Sequence, residues 1–301
     1  MNYRISLLAS LFLLSYLELV GQLAFSNLKG QLTVQFSAKA GNKRSFFVSL
    51  PPTYSRTKKH KLVVVFPGTD TRGKAMKAFV GDGWNDDGLE ANMSNAIFVY
   101  PDPKWRYFAD WKSTNGGWLL GPHGGAAAGM EDIHFVGELL DWMIKKYAID
   151  TARIFATGHS WGGDMTAVVG CFLGNRFRAI APVAANRPYW FESGNKPLNC
   201  SGAPAVWTFF STQDEHFEGQ EPKSGDFGKA QNAFWRSKYA CRSTFTILDI
   251  EPYGESVEYV NCTSTVRFTL YSPDFSGESD MPGHQPPDFY LREVPRWFNS
   301  F

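Results

Sequence analysis

Residues 158–162 read Gly158-His159-Ser160-Trp161-Gly162, a G-x-S-x-G pentapeptide between a strand-like apolar run ending at Ala156 and a helix-like run over residues 164–173. A nucleophilic serine has to sit on a sharp, strained corner with its hydroxyl exposed, and strand, turn and helix in this order build that corner. The flanking glycines have a steric reason. Without a Cβ at Gly158 and Gly162, strand and helix can approach closely and the serine can take an unfavourable backbone angle. The competing reading of the bare motif is an ordinary glycine-rich loop; the strand before it and the helix after it favour catalysis by Ser160.

A serine hydroxyl needs a base, and this architecture expects the order Ser, Asp or Glu, then His. Residues 205–210 read as a buried strand, and the loop leaving its carboxyl end presents Asp214, where open parallel sheets carry their sites. The last histidine, His284, lies in a glycine- and proline-rich loop after the strand-like residues 266–271. The rivals are Glu215, Asp226 in a polar glycine-rich loop and Asp249 within a strand-like run over residues 244–250 for the acid. For the base they are His216 and His159. His159 adjoins the nucleophile and is expected to point away from its hydroxyl, while His216 breaks the usual order. His60, His123 and His134 precede the serine and read as surface or structural residues.

The oxyanion donors are expected to be backbone amides, one after the nucleophile at Trp161 and one after an early apolar strand, residues 61–66. Pro67 has no amide hydrogen, which moves the second donor to Gly68 or Thr69. An ordinary strand-ending turn would look the same in sequence.

Residues 130–133, 147–163 and 176–184 together resemble the secreted esterase group of feruloyl esterases, acetylxylan esterases and polyhydroxybutyrate depolymerase-like proteins. The resemblance runs from about Phe46 to the carboxyl terminus. It implies an α/β-hydrolase fold with a mostly parallel central sheet flanked by helices in a single domain. It further implies a cofactor-free and metal-free Ser-Asp-His triad and ester substrates from plant cell walls or polyesters. The chain departs from the group in Phe66-Pro67-Gly68, where His-Gly is usual, and in Trp161, where Asn is common. Four cysteines allow three pairings. The resemblance suggests Cys241 with Cys262, leaving Cys171 with Cys200.

The net charge of +1 shows no bias towards nucleic acid or a membrane surface, and 301 residues with 44% hydrophobic content can bury a large core. Residues 1–26 have the positive start, apolar core and small residues of a signal peptide, with an uncleaved anchor as the second reading, leaving one catalytic domain over residues 27–301, read as a secreted monomer. No cysteine or histidine spacing suggests zinc, and Asn92, Asn199 and Asn261 begin glycosylation sequons. Residues 101–129 read as a loop rich in aromatic residues and glycine. There Trp111 and Trp118 are candidates either to stack on a sugar or feruloyl ring or to pack over the core. A stripe at Ile133, Val136, Leu140, Ile144 and Tyr147 predicts a core-facing helix, with Asp132 as an acid at its start. The expected substrate is a polysaccharide ester or a polyester. A carbohydrate-binding protein of the same fold would need no triad.

Overall fold

The computed structural model describes residues 25–83, 87–120, 128–188, 199–214, 224–248, 255–272 and 283–301. Most of the segment read as a signal peptide lies outside these residues, as do His123, Glu215, His216 and Asp249. The described strands are β1 (Gly30–Gln35), β2 (Lys43–Ser49), β3 (His60–Phe66), β4 (Ala96–Pro101), β5 (Lys104–Phe108), β6 (Ser113–Gly117), β7 (Ile149–His159), β8 (Ala179–Val183), β9 (Ala205–Ser211), β10 (Phe245–Ile247), β11 (Glu255–Tyr259) and β12 (Val266–Tyr271). The longer helices are α1 (Glu131–Lys146), α2 (Trp161–Phe172), α3 (Ser224–Lys238) and α4 (Tyr290–Asn299).

Ten strands form one sheet in the order β1-β2-β4-β3-β7-β8-β9-β12-β11-β10. From β4 to β12 the neighbours pair in parallel, and both margins are antiparallel. The parallel centre is apolar on both faces because helices cover both. In β3 every residue is buried. Leu62, Val64 and Phe66 join one core layer with α1, α2 and Trp235 of α3, while Val63 and Val65 join the other with α4. The two-residue period of a strand thus splits one run of sequence between two cores. No described helix is long and apolar enough to cross a membrane.

Three expectations change. Residues 101–129 are not simply a loop: β5 and β6 make a separate antiparallel hairpin, Trp105 opposite Gly116 and Tyr107 opposite Thr114. Asp226 lies in the first turn of α3, where a carboxylate suits the helix dipole, and pairs with Lys229 at 3.4 Å. Within the described part of the run over residues 244–250, the strand covers Phe245–Ile247. The structure has the two disulfides Cys171–Cys200 and Cys241–Cys262.

Candidate active site

Strand β7 ends at His159, and Ser160 turns the chain with φ 57° and ψ −128° before α2 begins at Trp161. The glycines make this corner sterically possible. A Cβ on Gly158 would lie 2.4 Å from the Gly162 carbonyl oxygen, and one on Gly162 would lie 2.0 Å from that of Phe66. The Ser160 amide donates to the Val183 carbonyl at 3.0 Å, tying the corner to β8. Strain of this kind persists only where the surroundings over-determine it.

Ser160, His284 and Asp214 come together across 124 and 70 residues of sequence separation. His284 Nε2 lies 2.9 Å from Ser160 Oγ, and Nδ1 lies 2.9 Å from each Asp214 carboxylate oxygen. Both Asp214 and His284 are buried. An Nδ1–H donated to the carboxylate leaves the Nε2 lone pair facing the hydroxyl.

The loop carrying His284 is held from three sides. Gly283 has φ 78° and sits so close to the acid's loop that a Cβ would lie 1.8 Å from the Gln213 carbonyl oxygen. Tyr271, at the end of β12, donates its hydroxyl to the Gln285 carbonyl at 2.9 Å. Burial, and then the Asp214 charge, raise the Tyr271 pKa well above that of an ordinary phenol, so it remains a donor. His159 donates its Nε2 hydrogen to the His284 carbonyl at 2.6 Å. The two imidazoles lie 4.9 Å apart between centroids. Sequence reasoning did not find the Tyr271 and His159 contacts, because both end on backbone atoms of a distant loop.

Gly68 faces the nucleophile, where its Cβ would be 3.4 Å from Ser160 Cβ. The Trp161 amide is among the helix-start donors that an α-helix cannot satisfy itself. Gly68 and Trp161 therefore both adjoin Ser160, and Thr69 follows Gly68 in the same loop. Asp70 hooks this loop to the hairpin: its amide donates to the Gly116 carbonyl at 2.9 Å, and its carboxylate accepts the Gly116 amide at 2.8 Å.

The tryptophans divide. Trp118 is fully buried against Phe66, and its Nε1 donates to the Pro67 carbonyl at 2.8 Å. It cannot stack on a substrate; it supports the loop beside Ser160, which corrects its candidacy as a binding residue. Trp111 is 45% exposed and lies 4.6 Å from the Trp161 ring.

Asp164, Asp132, His60 and His134 stand outside the hydrogen-bonded series of Ser160, His284 and Asp214. Burial pushes the Asp164 carboxyl up to about 7, against the opposing effect of the Asn186 amide, which donates to it at 2.6 Å. Asp132 is fully buried at the start of α1, 2.7 Å from Arg44 and 2.7 Å from the Leu119 amide that it accepts. His60 is buried and accepts the Ser55 amide at 3.1 Å, and His134 is exposed. Among the described residues no group of three or more His, Cys, Asp or Glu side chains could hold a metal ion.

No protein-family model matches the chain. Over 170 residues it is 31% identical to feruloyl esterase C of Emericella nidulans, covering 55% of each chain. With a probable feruloyl esterase C of Aspergillus clavatus it shares 26% identity over 76% of this chain and 75% of that one. The chain is thus similar to feruloyl esterases over much of its length. Feruloyl esterase D of Neurospora crassa also matches, at 27% identity. The chain spans about half the length of most of the curated feruloyl esterases it matches. Acetyl xylan esterase from Aspergillus awamori superposes with a TM-score of 0.63 at 14% identity, covering 90% of this chain and 99% of that one. The shared fold is the α/β-hydrolase fold.

Proposed function

We propose that this feruloyl esterase-like chain is a secreted serine esterase acting on carboxylic esters of plant cell-wall polysaccharide, with feruloyl or acetyl groups as the acyl part. The observation that carries this reading is the hydrogen-bonded series from Ser160 Oγ through His284 to Asp214, each step 2.9 Å. His284 Nε2 takes the hydroxyl proton as Ser160 Oγ attacks the ester carbonyl, and the amides of Trp161 and of Gly68 or Thr69 receive the negative charge. Collapse of the tetrahedral anion breaks the ester bond, and His284 gives its proton to the departing sugar alcohol. Water then attacks the acyl-serine, losing a proton to His284; the acid departs and Ser160 recovers its hydrogen. Asp214 fixes the imidazole tautomer and stabilises the imidazolium.

An ester panel of methyl ferulate, acetylated xylan, hydroxybutyrate oligomers and nitrophenyl acetate, run beside Ser160→Ala, tests the reading. Hydrolysis of feruloylated or acetylated substrates that disappears in the variant is the expected result. A preference for hydroxybutyrate oligomers would move the chain to polyester substrates. Full activity without the Ser160 hydroxyl would end the serine mechanism.

A further inference from the structure

The β5–β6 hairpin stands apart from the main sheet, and its two faces are unlike. On one face Lys104 reaches Glu131 at 2.9 Å, Arg106 reaches Glu131 at 3.2 Å, and the Phe108 ring packs 4.8 Å from Trp161. The alternation of a strand then turns Trp105 and Tyr107 outwards, where they are 51% and 63% exposed. Solvent-facing positions of a hairpin ordinarily carry polar side chains. Opposite them on β6 are Gly116 and Thr114, which share the face. A Cβ on Gly116 would lie 3.1 Å from Trp105 Cε2, so the indole rests across bare backbone and stays low on the hairpin.

We infer that this face is a binding platform for an uncharged polysaccharide chain, with Trp105 and Tyr107 stacking on successive parts of it. The two side chains are spaced by one strand repeat, about 6.6 Å. Exposed, electron-rich ring faces suit the C–H faces of sugar rings. The outward residues, Trp105, Tyr107, Thr114 and Gly116, carry no charge to recognise an ionic ligand, and an open hairpin face lacks the concavity that encloses a small apolar one. The platform is also fixed to the candidate site. Gly116 exchanges two hydrogen bonds with Asp70, two residues beyond Gly68, and Gly117 abuts the Trp161 ring so closely that a Cβ would lie 2.3 Å from it. A polymer with an ester group at Ser160 would present its neighbouring sugars beside the hairpin. The proposal extends the esterase reading to the polymer around the ester, but its binding test does not depend on catalysis.

The test is retention of the full chain, in the Ser160→Ala background, on insoluble arabinoxylan. Trp105→Ala and Tyr107→Ala should each lower the bound fraction several-fold, and Trp105→Phe should recover part of the loss. In the active chain, Trp105→Ala should raise KM for feruloylated arabinoxylan several-fold more than KM for methyl ferulate. Retention unchanged in both alanine variants would overturn the platform. So would a concentration-dependent dimer abolished by Trp105→Ala, since the face would then serve a second copy. If the chain hydrolyses no ester yet binds arabinoxylan through these rings, the esterase reading fails and the platform stands.

Discussion

The Nε2 hydrogen of His159 is donated to the backbone carbonyl of His284 at 2.6 Å, so the residue just before Ser160 clamps the loop that brings the imidazole to it. Small displacements of a catalytic group cost rate far more than binding. His159→Ala should lower kcat about 10- to 100-fold with little change in KM, on every ester alike. His159→Gln, whose amide can still donate, should recover part of the rate. Steady-state kinetics decide the matter: a wild-type kcat in the alanine variant would show that the clamp positions nothing.

Ser160→Ala and His284→Ala should each lower kcat by about 10³-fold or more, and Asp214→Asn should leave somewhat more activity, with folding retained in each. Because the three act as one unit, the double variant Ser160→Ala/His284→Ala should be scarcely worse than either single variant. Additive losses in single-turnover measurements would contradict a shared mechanism.

Trp118 separates support of the loop from contact with substrate. Trp118→Phe keeps most of the buried ring but removes the donor to Pro67, which should cost about 1 kcal/mol of stability and lower kcat equally for large and small esters. Trp118→Ala should cost about 3–5 kcal/mol through the cavity it leaves. Denaturant unfolding combined with the ester panel reads both effects, and a loss confined to polymeric esters would restore Trp118 as a binding residue.

Asp164 gives a pH-dependence with a definite sign. Its folded pKa of about 7 lies above the usual carboxylate range, so the native state holds this proton to higher pH than the unfolded chain does. The resulting stabilisation is complete below the unfolded pKa and is lost as pH rises through about 7. Asp164→Asn, which cannot ionise, should gain in melting temperature relative to the wild type between pH 5 and pH 8, by about a few degrees. A constant difference across that range would rule out the shift.

Cys241 and Cys262 link the end of α3 to the stretch between β11 and β12, and β12 carries Tyr271 beneath the His284 loop. Replacing both by serine should cost about 2–5 kcal/mol, and less if the surrounding domain holds the segment in place. Urea unfolding measures the loss; a variant as stable as the wild type would show that the cross-link restrains nothing in the unfolded chain.

The chain by itself determined what is local. Gly158 and Gly162 around Ser160 mark a corner, because any Cβ there strikes backbone, and the apolar residues of β3 mark a strand covered on both faces. The order of serine, acid and histidine was also legible. Helix α4 was not, because Pro295 interrupts its pattern. Nor was the hairpin, since Gly116 and Gly117 read as loop residues when they are the bare backbone beneath Trp105 and beside Trp161. Tertiary structure decided what depends on which distant atoms meet. It buried Trp118 under Pro67, left Trp105 exposed and set His159 against the His284 carbonyl. A side chain's residue type says what it can donate or cover, but its partner here is a backbone atom, which carries no signature in sequence and acquires its position only when the chain has folded.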